Sequence, residues 1–163
     1  MDLNITKSLP INIPMSDSDI KKYVPAMRYN NFNGKLPSII LYAPDEMPNM
    51  GHWCMLHNTV DNDGNKVIEF FDSYGMKPDK ALKILQNNYN PKIVKWLLNT
   101  CKNITYSADK LQGSGNNIMT CGRHCIVREM FKKYSAENYA KSLKKVSKEL
   151  GVTPDEIVSI IVP

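Results

Sequence analysis

The chain has no apolar run approaching the ~18 residues of a membrane-spanning helix, and a membrane role is not expected. Met1–Pro14 lacks the basic-then-apolar layout of a secretory leader, so the expectation is an intracellular protein that is not secreted. Cysteine is scarce: Cys54, Cys101, Cys121 and Cys125 are all there is. Four cysteines without an export signal read as reduced thiols, not as a disulfide framework. Cys121-x-x-His124-Cys125 has no second short-spaced pair to complete a zinc site, and its order differs from the haem-attachment C-x-x-C-H, so no metal is expected. Internal repeats and low-complexity segments are missing too. What remains, 163 residues with 42% hydrophobic and 23% charged side chains, reads as one globular domain over 1–163.

The net charge of +5 is unevenly spread. Residues 1–100 carry eleven basic and ten acidic side chains, residues 101–163 ten basic and six acidic. Lys132, Lys133, Lys141, Lys144, Lys145 and Lys148 face only Glu137 within the segment 132–148. Such a stretch is either a solvated helix face or a phosphate-contacting one, for which Lys141, Lys144, Lys145 and Lys148 are the candidates.

Ser16–Asp19 reads as an N-cap cluster before a short helix ending near Pro25. Pro37–Tyr42 is a compact apolar, β-branched run, hence a buried strand, and Gly51–Asn58 a second strand. Asn62-Asp63-Gly64-Asn65 signals a hairpin into a third strand, Lys66–Asp72, antiparallel to the second. Pro78 opens a helix with Leu82, Ile84 and Leu85, and Pro91 another with Ile93, Val94, Leu97, Leu98 and Cys101 on its apolar face. Ile104–Ser107 is a short strand. From Cys125 onward Ile126, Val127, Met130, Phe131 and Tyr134 recur at helical spacing. Asn138–Leu150 sets Tyr139, Leu143, Val146 and Leu150 opposite its lysines, and Thr153–Glu156 caps a last helix. The class is α+β, a small, mainly antiparallel sheet packed by helices.

The chemistry centres on Thr120-Cys121-Gly122. Cys121 sits where a loop becomes a helix. Free backbone N–H groups and the helix dipole there favour a thiolate, whose pKa falls from ~8.5 toward ~3.5–7.5 at such sites. Gly122 allows close approach of a substrate. A nucleophile needs a base, a group orienting it and an oxyanion donor. His52 begins one strand and Asp72 ends its hairpin partner, so the aspartate can hold the imidazole. Gln112, nine residues before Cys121, can donate to an oxyanion. Cys54, Cys101 and Cys125 read as small core residues.

His52-Trp53, Asp72 followed by Ser-Tyr-Gly, Leu111-Gln112-Gly113 and Thr120-Cys121-Gly122-x-x-Cys125 resemble the adenovirus-type maturation protease family (adenain-like), in the cysteine-protease group that also contains SUMO-deconjugating proteases. The likeness spans roughly residues 16–134. The Cys-Gly-Arg-His-Cys stretch is similar to proteases of virophages, Polinton-type elements and large DNA viruses. The resemblance implies a papain-like fold, with Cys121 as nucleophile, His52 as base and acid, Asp72 orienting it, and Gln112 with the Cys121 N–H as oxyanion hole. Trp53 would line a narrow substrate channel. It also implies a monomeric endopeptidase of virion and infected cell that cuts capsid or core precursors at Gly-Gly-X or Gly-X sites. No cofactor is required, with DNA or a viral peptide as an optional activator and non-specific contact to viral DNA. A ubiquitin- or SUMO-like deconjugase, an acyltransferase on the same scaffold and a non-catalytic nucleic-acid-binding module stay open as alternatives.

Overall fold

Ser38–Tyr42, five consecutive buried residues, form the strand on which the other layers rest. Side chains alternate across a strand, so Ile39 and Leu41 enter one core while Ile40 and Tyr42 enter another. The computed structural model describes residues 9–44, 51–85, 90–100 and 103–163. In the described residues a five-stranded sheet runs in sequence order: β1 (Ala26–Arg28), β2 (Ser38–Tyr42), β3 (His52–Val60), β4 (Lys66–Phe71) and β5 (Ile104–Tyr106). The β2–β3 and β3–β4 pairings are antiparallel, whereas β1 joins β2 and β5 joins β4 in parallel. The class is thus α+β as expected, but the sheet is mixed where a mainly antiparallel one was expected. Three-residue edges are too short to show alternation, and the sequence reading contains no strand at Ala26–Arg28.

One face of the sheet presents Trp53, Met55 and Phe71 to a core shared with α1 (Asp17–Lys21), α4 (Cys121–Met130), α5 (Ala136–Leu150) and α6 (Pro154–Ile161). The other face packs Cys54, Leu56 and Phe70 against α2 (Lys80–Leu85) and α3 (Lys92–Thr100). Local signals set the helix ends. Ser16 and Asp19 form a capping box on α1, and Thr153 and Glu156 form one on α6. Ser135 caps α5, which stops at Gly151 in the left-handed region, φ 67°. The β3–β4 turn is held by Asp61 Oδ1, which accepts the N–H groups of Asp63 and Asn65.

Several apolar stripes are narrower than their periodicity. On α3 only Ile93 and Leu97 are buried, and Leu98 is 71% exposed. On α5 Tyr139 and Leu143 are buried while Val146 and Leu150 face solvent. Helix α4 ends at Met130, so Phe131 and Tyr134 fall beyond it, and all three are exposed. The side chains of Ile84 and Leu85, and Cys101 altogether, lie outside the described residues.

A polar network lies buried beneath α4. Arg128 is fully buried, its Nε donating to Glu69 Oε1 at 2.8 Å and its terminal nitrogens to Thr59 Oγ1 and the carbonyls of Phe131 and Tyr134, each at 3.0 Å. The Tyr139 ring lies 5.0 Å from the guanidinium. His57 completes the network, Nε2 2.5 Å from Glu69 and Nδ1 2.8 Å from Glu129. Arg128→Leu should cost about 3–5 kcal/mol, because it takes the guanidinium from the buried Glu69 carboxylate and leaves His57 as its side-chain partner among the described residues. Urea unfolding is the measurement, and a change within ~0.5 kcal/mol would show that the network carries no net stability.

Candidate active site

His52 is the first residue of β3 and pairs with Tyr42 at the end of β2. A Cβ at Gly51 would fall 2.1 Å from the Tyr42 carbonyl oxygen, so the strand can enter this way only on glycine. Asp72 directly follows β4, and the antiparallel hairpin returns it to the end of the sheet where β3 begins. His52 Nε2 lies 2.7 Å from Asp72 Oδ1, which also accepts the Tyr74 backbone N–H at 2.8 Å. The Tyr74 ring stacks on the imidazole, centroids 4.9 Å apart and planes 29° inclined. With Nε2 committed to Asp72, Nδ1 is the ring nitrogen left for a sulfur.

Cys121 is the first residue of α4 and lies beside His52 at the edge of a shared cleft. The backbone N–H groups of Trp53 and Gly122 are near enough to favour a negative sulfur. Burial works against a thiolate here, but the neighbouring His52 imidazole and these N–H groups hold the thiol below its ordinary range. For His52, burial opposes the charge, yet the sulfur of Cys54, the Asp72 carboxylate and the Cys121 sulfur keep the imidazole well above its ordinary range. Cys54 is itself pushed up to about 12 by burial. It is neutral near pH 7, which leaves Asp72 and Cys121 as the charges that favour an imidazolium.

Gln112 is buried, and its amide is fixed from both sides. Oε1 accepts the Ser73 hydroxyl at 2.7 Å and Nε2 donates to the Ile118 carbonyl at 3.3 Å. An amide NH₂ has two donors, so one N–H remains free. Gln112, Cys121, His52 and Trp53 all border one cleft of about 830 Å³, with Pro14, Met15, Leu41, Tyr74, Ile118 and Met119 as its largely apolar walls. Gly122 is placed differently from the substrate contact expected of it: it is buried, and a Cβ there would meet Ile20 at 3.1 Å and Trp53 at 3.5 Å. Its bareness lets α4 settle against α1 and β3.

Cys125 is a core residue, its thiol 3.5 Å from the Trp53 carbonyl, and His124 bonds Asp155 instead of turning toward Cys121. An imidazole nitrogen of His52, the Cys54 sulfur and an Asp72 oxygen lie within 4.8 Å of one another, a donor set metals accept. The four lysines lie on α5, and none lines the cleft. Lys141 pairs with Glu137 at 2.6 Å, Lys144 with Asp109 at 2.6 Å and Lys145 with Glu149 at 3.9 Å, so carboxylates partly offset that face. Ser73 and Tyr74 stand within the motif that drew attention to Asp72. Their roles, steadying Gln112 and covering His52, have no signature in a linear sequence.

Iodoacetamide should alkylate Cys121 with half-maximal rate below the usual thiol value of about 8.5, while Cys54, held at about 12, stays unreactive in the folded protein. Asp72→Asn removes the charge that favours the imidazolium. This lowers the His52 pKa, weakens the thiolate and moves the Cys121 profile to higher pH. A profile unmoved by Asp72→Asn would separate Asp72 from the pair.

No protein-family profile matches the chain. Over 120 residues it is 37% identical to the uncharacterised protein V9 of the Sputnik virophage, a match covering 69% of this chain and 66% of that protein. The chain thus spans just under two thirds of that relative's length. Likeness to solved structures is slight. The central domain of the uncharacterised Lpg1148 protein from Legionella pneumophila is 19% identical with a TM-score of 0.36, over 91% of this chain and 86% of that one. A de-sumoylating protease is 16% identical with a TM-score of 0.31, over 98% and 71%. At these scores neither bears on fold or activity.

Proposed function

We propose that the chain is a cysteine endopeptidase of the adenovirus-maturation type. The observation that most supports this is the 2.7 Å His52–Asp72 bond with Cys121 beside the same imidazole, at a helix start bordering a cleft. In this reading the Cys121 thiolate attacks a peptide carbonyl carbon and the carbonyl electron pair moves onto oxygen. The Cys121 backbone N–H and the spare Gln112 N–H stabilise that oxyanion. The His52 imidazolium protonates the leaving amine as the intermediate collapses to a thioester. His52 then takes a proton from water, which attacks the thioester and frees Cys121.

Substrates in this proposal are viral capsid or core precursors cut at Gly-Gly-X or Gly-X sites during virion maturation. The motif resemblance supports that class, and a virophage relative supports a viral setting. The proposed locations are accordingly the virion and the infected cell, with the protein acting as a monomer. DNA contact belongs to the same proposal. The ion pairs on α5 are exposed, and such pairs contribute little, so phosphates can compete for the lysines.

Cys121→Ala should abolish cleavage of a Gly-Gly-X peptide with the fold intact, while Cys125→Ala keeps activity. His52→Ala should be nearly as damaging, and Asp72→Asn should leave a residue of turnover. Gln112→Ala should lower kcat by roughly 10²–10³. A fully active Cys121→Ala would sink the proposal, and loss confined to Cys125→Ala would reassign the nucleophile. Binding of labelled duplex at low salt should weaken when Lys141, Lys144, Lys145 and Lys148 all become Glu, with each neutralised phosphate adding about −0.9 to the salt slope. Binding indifferent to the four changes would leave α5 a solvated face.

A further inference from the structure

We infer that Asp155 is a positioning residue: it ties together the two ends of the 112–121 loop and so sets where Gln112 stands relative to Cys121. The inference rests on the protease reading of the site. Asp155 lies in the first turn of α6 and is 3% exposed. Its Oδ2 accepts the Gly113 N–H at 2.9 Å, and its Oδ1 accepts the Thr120 hydroxyl at 2.5 Å and the His124 Nε2–H at 2.9 Å. Gly113 follows the oxyanion donor, Thr120 precedes the nucleophile, and His124 stands in the first turn of α4. One carboxylate therefore spans both loop ends and the helix they lead into.

Other details agree that these bonds concern the loop. Helix α6 has its own cap, Thr153 with Glu156, so Asp155 is not needed to start it. Thr120 occupies the N-cap position of α4 but makes no capping bond, its hydroxyl going to Asp155 instead. The first-turn N–H groups beside Cys121 are thus left without that acceptor. At Gly113 a Cβ would lie 3.1 Å from Asp155 Oδ2 and 2.8 Å from Ile118 Cδ1, so a larger residue would push on the very carboxylate that ties the loop. The buried His124 Nδ1 has no hydrogen-bond partner, and among the described residues the ring's polar link is to Asp155 alone. A buried carboxylate is tolerated when its lone pairs are used, and here each of its acceptor bonds goes to this loop or to the start of α4.

Asp155→Asn keeps the shape but places an amide NH₂ against either Gly113 N–H or the Thr120 and His124 donors. Thr120→Val removes one hydroxyl. Three measurements apply to each full-length variant: cleavage of a fluorogenic Gly-Gly-X peptide, iodoacetamide alkylation of Cys121, and hydrogen exchange over residues 112–120. For Asp155→Asn, kcat should fall on the order of 10²-fold, the cost of misplacing a reacting group by about 1 Å. KM and the alkylation rate should stay near wild type, since alkylation needs the thiolate and His52 but no oxyanion donor. Exchange over 112–120 should quicken. Thr120→Val should move all readouts in the same direction by less. Unchanged exchange and kcat in both variants would overturn the inference. So would alkylation falling in step with kcat in both, which would assign Asp155 to the folding of α4. If the wild-type chain neither cleaves peptide nor alkylates selectively at Cys121, the protease reading fails on its own, and exchange in Asp155→Asn still decides the tether.

Discussion

The placement of α4 depends on one buried guanidinium. Arg128 reaches β4 through Glu69, β3 through Thr59, and the turn after the helix through the carbonyls of Phe131 and Tyr134. Replacing such a charge set by apolar side chains is often neutral for stability, whereas its fixed donors admit few geometries. Two turns earlier on the same helix, Gly122 packs against Ile20 and Trp53. Pinned at both ends, α4 can neither rotate nor slide on the sheet, and that is what keeps Cys121 against His52.

Hairpin geometry brings the other two groups to the same place. In an antiparallel pair the start of one strand and the end of the next share an edge. His52 at the start of β3 and Asp72 after β4 therefore meet without any loop having to deliver them. The sheet supplies the imidazole and carboxylate, the helix supplies the thiol, and the segment from Leu111 to Thr120 supplies the amide. Each group arrives on a different kind of support, and the loop is the least constrained of them.

Most of this was legible where the signal is local. Caps at Ser16 and Thr153, the Asn62–Asn65 turn and the continuous apolar run of β2 are written in short stretches and stand as read, whereas the Ser135 cap, three residues before the expected helix start at Asn138, went unread. The meeting of His52 with Asp72 was legible because hairpin topology constrains it, whereas the approach of Cys121 from α4 was implied only by the motif resemblance. Illegible were contacts with no period: β1, too short to alternate, and the Arg128–Glu69–His57 network, whose members are polar residues that normally face solvent. Periodicity misjudged Leu98, Val146, Leu150 and Met130 because it reports which residues share a face and not how far the neighbouring layer extends. Asp155 was read as part of a helix cap, and the sequence offered no sign that its carboxylate turns toward Gly113.

Because α6 closes around the loop before Cys121, order of synthesis acquires a meaning for the site. A ribosome that has released residues up to Leu150 has released His52, Asp72, Gln112 and Cys121 together with every strand of the described sheet. The carboxylate that joins Gly113 to Thr120 is still to come. The nascent chain at that stage has the loop carrying Gln112 without its tie, which forms only when α6 docks. Only with α6 in place does one carboxylate hold both ends of the loop that leads to Cys121.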